Sequence, residues 1–343
     1  MRKPIFQVVD EIQLPTHEDR ESALAAGGTN EAASAHERYL EEWAALTSLE
    51  VAQPVSTCAS GAVSVGAWNV ERCKRIEESA DLIQAQQIQI LLATELDYGM
   101  ARSGQHHTTR DLAARLDMGY IFGVEFVELG IGDFVETKLF SGQENLGGLH
   151  GNAILSRFPM NNPTLIPIDD GGLWYTSSPK GDGQLRVGGR MAIAAQIEFD
   201  RRKVIVVSVH FESESGPDGR VKQAERLLSS IDEIYGTGPC IIGGDFNTVA
   251  LTGLSSAEAF AGHVSEPCFS AFRDFGYTWA DANTGKATNR APLGKDVRYP
   301  LMRLDWLFFR GLQALAPKTT AALSDRLEYL SDHELIHAEF DLH

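Results

Sequence analysis

Ile241-Ile242-Gly243-Gly244-Asp245-Phe246-Asn247 runs from a short apolar stretch straight into a carboxylate and, two residues later, a carboxamide. A run of that kind reads as a buried strand. Polar groups placed abruptly at its end sit where a rigid scaffold hands over to a loop, the usual location of chemistry. While the chain stays extended, Asp245 and Asn247 point to the same side. A carboxylate and an amide aimed at one point suit a hard cation, a water nucleophile or a phosphate oxygen. Taken alone, the heptapeptide is equally well explained as a strand followed by an Asp-containing turn.

The pattern recurs along the chain. Val63-Ser64-Val65-Gly66-Ala67-Trp68-Asn69 ends in a carboxamide, and 87–95 ends in Glu95. Val204-Ile205-Val206-Val207-Ser208-Val209-His210 ends in an imidazole. Arg303-Leu304-Asp305-Trp306-Leu307-Phe308-Phe309 carries a carboxylate at its start, and Ser331-Asp332-His333 precedes the alternating segment 334–340. A single His, Asn or Asp beside a strand is most often a cap or a backbone partner. Six strand ends that all carry metal- or phosphate-competent groups point instead to one converged site, because such groups cluster where function is.

Set in order, Trp68-Asn69-Val70, Thr94-Glu95, Gly151-Asn152-Ala153-Ile154-Leu155-Ser156-Arg157, Ser208-Val209-His210, Gly243-Gly244-Asp245-Phe246-Asn247, Leu304-Asp305-Trp306 and Ser331-Asp332-His333 resemble the endonuclease/exonuclease/phosphatase superfamily, whose fold is that of pancreatic-type deoxyribonuclease. The resemblance implies an α+β fold, a four-layer α/β/β/α sandwich of two packed mixed β-sheets with outer helices. It also implies hydrolysis of a phosphoester by water, assisted by Mg2+ or Mn2+. Glu95 resembles the principal metal ligand, with Asn69 helping directly or through water and Asp332 supporting the metal or a neighbouring ligand. Asp245 resembles the residue that orients or deprotonates water, and Asn247 the one that holds it or a phosphate oxygen. His333 resembles the group that meets a non-bridging oxygen, and Asp305 the carboxylate that fixes that histidine. Asn152 resembles a phosphate-contacting residue. His210 matches the general acid of the deoxyribonuclease-like and sphingomyelinase-like branches. Abasic-site endonucleases instead carry Tyr at this position with Asn shortly after, whereas this chain continues Phe211-Glu212-Ser213-Glu214.

The 343-residue chain holds 30 basic and 47 acidic side chains, a formal net charge of −17. Proteins that grip long nucleic acid display basic patches. The densest basic run, Arg201-Arg202-Lys203, reads as a hairpin turn. The charge therefore favours a small or lipid-derived phosphodiester over DNA or RNA, which stays as the alternative substrate class. A catalytically inactive binding module is the rival from another class, and it would be expected to have lost one of Glu95, His210, Asp245 or His333. No apolar run is long enough to span a bilayer, and the N-terminus lacks the pattern of a signal peptide, so the expected location is cytoplasmic. Cys58, Cys73, Cys240 and Cys268 are too widely spaced for a metal motif and read as free thiols.

Residues 1–60 precede the first motif and read as an N-terminal extension with an amphipathic helix over 30–49, while 61–343 read as the catalytic domain. Further helices are expected over 76–87, 108–116 and 218–235. Three loops are candidates for substrate choice. Loop 97–110 carries Arg102, His106, His107 and Arg110, of which Arg102 and His107 are taken as anion-binding. Loop 169–189 carries Trp174, Tyr175, Lys180 and Arg186, and Arg190 follows it, placed either to pair with a carboxylate or to touch phosphate. Loop 281–300 carries Arg290, Lys295, Arg298 and Tyr299.

Overall fold

The computed structural model describes residues 2–55, 61–176, 184–261, 265–290 and 301–341. Cys58, Lys180, Lys295, Arg298 and Tyr299 lie outside the described residues. The described strands are β1 (Val8–Val9), β2 (Leu49–Ala52), β3 (Val63–Arg72), β4 (Ile90–Tyr98), β5 (Gly119–Glu128), β6 (Leu149–Ser156), β7 (Asn161–Pro167), β8 (Arg186–Gly188), β9 (Met191–Phe199), β10 (Arg202–His210), β11 (Cys240–Asp245), β12 (Asp305–Arg310), β13 (Gln313–Thr320) and β14 (Leu335–Asp341). The described helices are α1 (His17–Ala26), α2 (Ala32–Glu42), α3 (Ala44–Thr47), α4 (Ile76–Ala85), α5 (Thr108–Leu116), α6 (Phe134–Leu139), α7 (Leu173–Thr176), α8 (Gly216–Tyr235), α9 (Ser256–Ala261) and α10 (Cys268–Asp274).

The strands form two mixed sheets. The larger has the order β1-β2-β5-β6-β4-β3-β14-β13, with β8 added on β5, and the smaller has the order β12-β11-β10-β9-β7. Alternation along each strand sends successive side chains to opposite faces, and the packing follows it. Val63, Val65, Ala67, Ile90 and Leu92 meet Ile193, Ala195, Val204, Val206, Ile241 and Leu307 between the sheets. The intervening Leu91 and Ala93 pack under α4 and α5 with Ile83 and Leu112. On the far side, Ile205, Val207 and Ile242 pack under α8 and α10 with Leu228 and Phe272. Three apolar interfaces thus separate four layers, as the resemblance implies.

Period-2 counting also fixes what the strand ends present. Asn69, His210, Asp245 and Asp305 share parity with Ala67, Val206, Ile241 and Leu307, so all four face the gap between the sheets. Parallel pairing of β10 with β11 sets His210 beside Asp245, and antiparallel pairing of β11 with β12 sets Asp245 beside Asp305. Glu95 shares parity with Ala93 and would by counting turn toward the helices. A break in register after Ala93 and a left-handed backbone at Glu95 (φ 61°) interrupt the count there. Bulges re-aim side chains in this way beside active sites.

The glycines of the opening heptapeptide have two separate reasons. A Cβ at Gly243 would stand 2.7 Å from Leu307 and 2.8 Å from Leu92, so this glycine lets the two sheets close on one another. Gly244 has φ +145°, and a Cβ there would stand 1.9 Å from the Val209 carbonyl oxygen.

The segment expected as one helix over 30–49 is divided. The α2 helix stops at Trp43, which is extended (ψ 115°), and Leu49 begins β2, paired with Gly123 of β5. The apolar face of the segment packs as expected: Tyr39, Leu40, Trp43 and Leu46 are buried.

Gly244→Ala is expected to lower the unfolding free energy by roughly 2–4 kcal/mol, through steric strain in a special backbone conformation. Denaturant titration of purified protein checks this. A midpoint equal to that of the unsubstituted chain would show that the β10–β11 contact tolerates a side chain.

Candidate active site

The inward strand ends open onto a cavity of about 210 Å³ lined by Arg72, Glu95, Glu125, Glu136, His150, Arg186, Arg190, His210, Asp245, Asn247 and His333, among others. Asn69 lies beneath it. Its Nδ2 donates to Glu95 Oε1 at 3.0 Å and to Asp245 Oδ2 at 3.2 Å, so one amide ties a carboxylate of the large sheet to one of the small sheet. Its Oδ1 accepts the Glu71 backbone N–H at 3.1 Å. Beyond Asn69 the backbone is left-handed at Glu71, Arg72 and Cys73. Non-glycine residues in that region are strained, and such strain collects at functional sites.

Glu95 keeps its side chain 20% exposed to the cavity and pairs with Arg72 at 3.2 Å. Burial alone would push its pKa up, but Arg72, with His210 and His150 behind it, holds the carboxyl well below the usual range. Asp332 donates its backbone N–H to Glu71 at 3.2 Å. Its carboxyl is raised, first by burial, with Glu95 and Glu71 adding repulsion against the pull of His333. Carboxylate oxygens of this kind suit a hard divalent cation. Glu95 and Asp332 would hold it. The Asn69 oxygen is engaged by Glu71, so in this arrangement Asn69 positions Glu95.

The histidines form a second group around Asp245. His333 Nδ1 lies 2.7 Å from Asp305 Oδ2, and its Nε2 lies 3.7 Å from Asp245 Oδ2. The loop is pinned at its root: Trp68 Nε1 donates to the His333 carbonyl at 2.9 Å, and Ser331 Oγ to the Asn69 carbonyl at 2.6 Å. Burial works against charge on His333, yet Asp305 and Asp245 outweigh it and raise its pKa well above the ordinary imidazole value. Ligand atoms of Asp245, Asp305 and His333 fall within 4.8 Å of one another, a spacing that could bracket a metal. The same spacing also suits an orienting carboxylate, Asp305, behind an imidazole that faces a second carboxylate, Asp245.

His210 Nε2 stands 3.6 Å from Asp245 Oδ2. On its other side, Nδ1 lies 2.8 Å from Arg190 Nη1 and 3.5 Å from Glu125 Oε2. Burial and Arg190 pull the His210 pKa down, while Glu125 and Asp245 outweigh them and leave it raised. Arg190 answers the two readings left open for it by pairing with carboxylates, Glu125 at 2.5 Å and Glu212 at 3.2 Å, while still lining the cavity.

Asn247 also lines the cavity, but not through extension of the strand. The chain turns left-handed at Asn247 (φ 49°), Asp245 Oδ1 accepts its backbone N–H at 2.8 Å, and its Nδ2 donates to the Phe211 carbonyl at 2.9 Å. Arg102 reaches the cavity wall as a clamp, bidentate on Asp97 at 2.8 Å and paired with Glu136 at 3.1 Å. His107 is not brought to this group: it caps α5, stacks on Tyr98 and faces Glu50 at 3.0 Å. Asn152 likewise does not line the cavity; it is buried in β6 and donates to the Met191 carbonyl at 3.2 Å. Sequence reading missed Glu125, Arg72 and His150. Glu125 had a signal, a carboxylate inside the apolar run Tyr120-Ile121-Phe122-Gly123-Val124-Glu125-Phe126-Val127.

The raised pKa of His333 sets a direction for stability. A folded value above the unfolded value of about 6.5 means that the contribution is fully present below that pH and is lost as pH rises through the folded value. Unfolding free energy should therefore fall as pH climbs from about 6.5, and Asp305→Asn should flatten that fall. Equal slopes in denaturant titrations across the pH series would remove Asp305 as the source of the shift.

Comparison with known proteins bears on the family and the fold. The sequence matches the Endonuclease/Exonuclease/phosphatase family profile over residues 66–333. No curated protein sequence matches the chain. Among solved structures, an endonuclease/exonuclease/phosphatase from Beutenbergia cavernae DSM 12333 aligns with TM-score 0.57 at 18% identity over 82% of this chain and 72% of that one. The human Nocturnin catalytic domain with bound sulfate aligns with TM-score 0.53 at 20% identity over 82% of this chain and 94% of that one. An AP endonuclease from Archaeoglobus fulgidus aligns with TM-score 0.52 at 17% identity over 82% of this chain and 100% of that one. At these identities the likeness is one of fold. The profile match spans most of the chain and coincides with the ordered motifs from Trp68 to His333, so this protein belongs to the endonuclease/exonuclease/phosphatase family, whose members are generally hydrolases acting on phosphoester bonds.

Proposed function

We propose that the protein is a divalent-metal-dependent phosphodiesterase that cuts a small or lipid-derived phosphodiester by direct attack of water. The observation that carries this reading is the meeting of two unlike corners in one small cavity. One corner is an ionised carboxylate among further acids, at Glu95. The other is two carboxylate-backed imidazoles that flank Asp245, at 3.6 and 3.7 Å. Magnesium or manganese bound at Glu95 would neutralise charge on the phosphoryl group and its leaving oxygen.

The chain's own groups divide the remaining work. Asp245 orients the water and accepts its proton. Asn247 is placed to hold that water or a phosphoryl oxygen. His333, kept cationic by Asp305, stabilises charge that develops on a non-bridging oxygen. His210, whose Nδ1 accepts from Arg190 Nη1 at 2.8 Å, delivers the Nε2 proton to the departing alkoxide. Two observations favour a small substrate over a polynucleotide: the cavity is narrow, and the chain carries −17 with no basic run long enough to track a phosphate backbone.

Hydrolysis of bis(p-nitrophenyl) phosphate is expected to need magnesium or manganese and to stop in chelator; full-rate turnover without metal would sink the mechanism. His210→Ala should cut turnover by about a hundredfold or more on diesters with an alkoxide leaving group. The deficit should shrink when p-nitrophenolate, which needs no proton, departs. Equal losses for both classes would take the general-acid role from His210.

A further inference from the structure

Four arginines stand around the catalytic cavity: Arg72, Arg102, Arg186 and Arg190. Three are neutralised in place. Arg72 pairs with Glu95 and Glu136, Arg102 with Asp97 and Glu136, and Arg190 with Glu125 and Glu212. Arg186 differs. Its side chain makes no ion pair or hydrogen bond among the described residues, and its Nε is buried without a partner.

Its position is nevertheless built. Arg186 opens β8, opposite Glu128 of β5. Its guanidinium carbon lies 4.8 Å from the Phe126 ring centre and 4.9 Å from that of Trp174. Those rings meet edge to face, 5.5 Å apart at 77°. The buried Glu128 carboxylate is drawn instead to Gln184 Nε2 at 2.5 Å. Burial holds the Arg186 pKa below its ordinary value, which Glu128 only partly restores. A cation partly withdrawn from water without a direct ion pair is costly. A guanidinium held over aromatic faces is already oriented for an anion and loses little freedom in binding one.

We propose that Arg186 is a specificity-determining residue that binds a second phosphate of the substrate, a terminal phosphomonoester separate from the diester being cut. The scissile group already has His333, His210, Asn247 and the Glu95 corner. Arg186 is left as the arginine without an ion pair among the described residues, beside Phe126 in the lining of the same cavity. The favoured substrates are then small phosphodiesters that also carry a terminal phosphate. This inference rests on the phosphodiesterase reading.

The test uses two nucleoside p-nitrophenyl phosphodiesters that differ only in a terminal phosphate on the far hydroxyl, assayed with magnesium. The full chain should prefer the phosphorylated compound in kcat/KM by about tenfold or more, the size of a charge-assisted contact. Arg186→Gln should bring that ratio close to unity, and Arg186→Lys should recover part of it. A ratio near unity in the unsubstituted protein, or equal losses on both compounds in Arg186→Gln, would overturn the assignment; the latter would place Arg186 on the scissile phosphate. A second arm needs no turnover. Inorganic phosphate titrated calorimetrically without added metal should bind Arg186→Gln about tenfold more weakly than the unsubstituted chain. Equal affinities would overturn the proposal. If neither diester is cut by any variant, the phosphodiesterase reading fails and the titration alone decides the role of Arg186.

Discussion

One carboxamide joins the two halves of this site. Asn69 Nδ2 is shared between Glu95 at 3.0 Å and Asp245 at 3.2 Å, carboxylates that belong to different sheets. An amide NH2 has two donors and can serve two acceptors at once. Placed where β3 ends, it fixes the separation between the proposed cation corner and the proposed water corner. A second bond across the same gap, from Ser208 Oγ of β10 to the Ala93 carbonyl of β4 at 2.9 Å, lies just before the bulge that turns Glu95 inward. Gly243, bare of a side chain, permits the close approach of sheets that both bonds require.

Around this bridge, acids and bases alternate. The chain is strongly acidic as a whole, yet the cavity wall interleaves arginines and histidines with carboxylates. Buried ion pairs of this kind contribute little net stability, because desolvation offsets attraction. Their effect is positional. Asp305 keeps His333 charged and aimed, Glu125 draws on His210, and Arg72 keeps Glu95 ionised beside other acids. Each group given a role in the proposed reaction thus has a charged neighbour that orients it or biases its charge. Arg186 is the exception, since its guanidinium stands over the Phe126 and Trp174 rings and makes no ion pair among the described residues.

Much of this was legible in the chain. Asn69, His210, Asp245 and Asp305 could be grouped because strand alternation is rigid: an inward apolar series forces the terminal polar residue inward too. Glu95 was found by motif rather than by counting, since counting sends it to the wrong face and only a left-handed bulge corrects it. Glu125 was hidden because every residue of β5 is buried, so no amphipathic contrast marks it, and its partner His210 stands on the opposite sheet. His107 looked like an anion ligand among neighbouring basic residues. Its partner Glu50 comes from β2, a strand that sequence reading did not expect; the helix ends at Trp43, whose ring packs tilted against Tyr39 at 4.9 Å. Asn152 stands near the start of a family-like motif, but β6 holds it inside the sheet.

The division into a cation corner and an acid–base corner stands or falls on where a divalent ion binds. Two candidate sets compete, the proposed Glu95 corner and the Asp245-Asp305-His333 trio, whose ligand atoms lie within 4.8 Å of one another. Crystals soaked in manganese, with diffraction collected to locate the metal by its anomalous signal, decide between them. A peak ligated by Glu95, with His333 still bonded to Asp305, is the expected result. A peak seated between Asp245, Asp305 and His333, with the Glu95 corner empty, would contradict it.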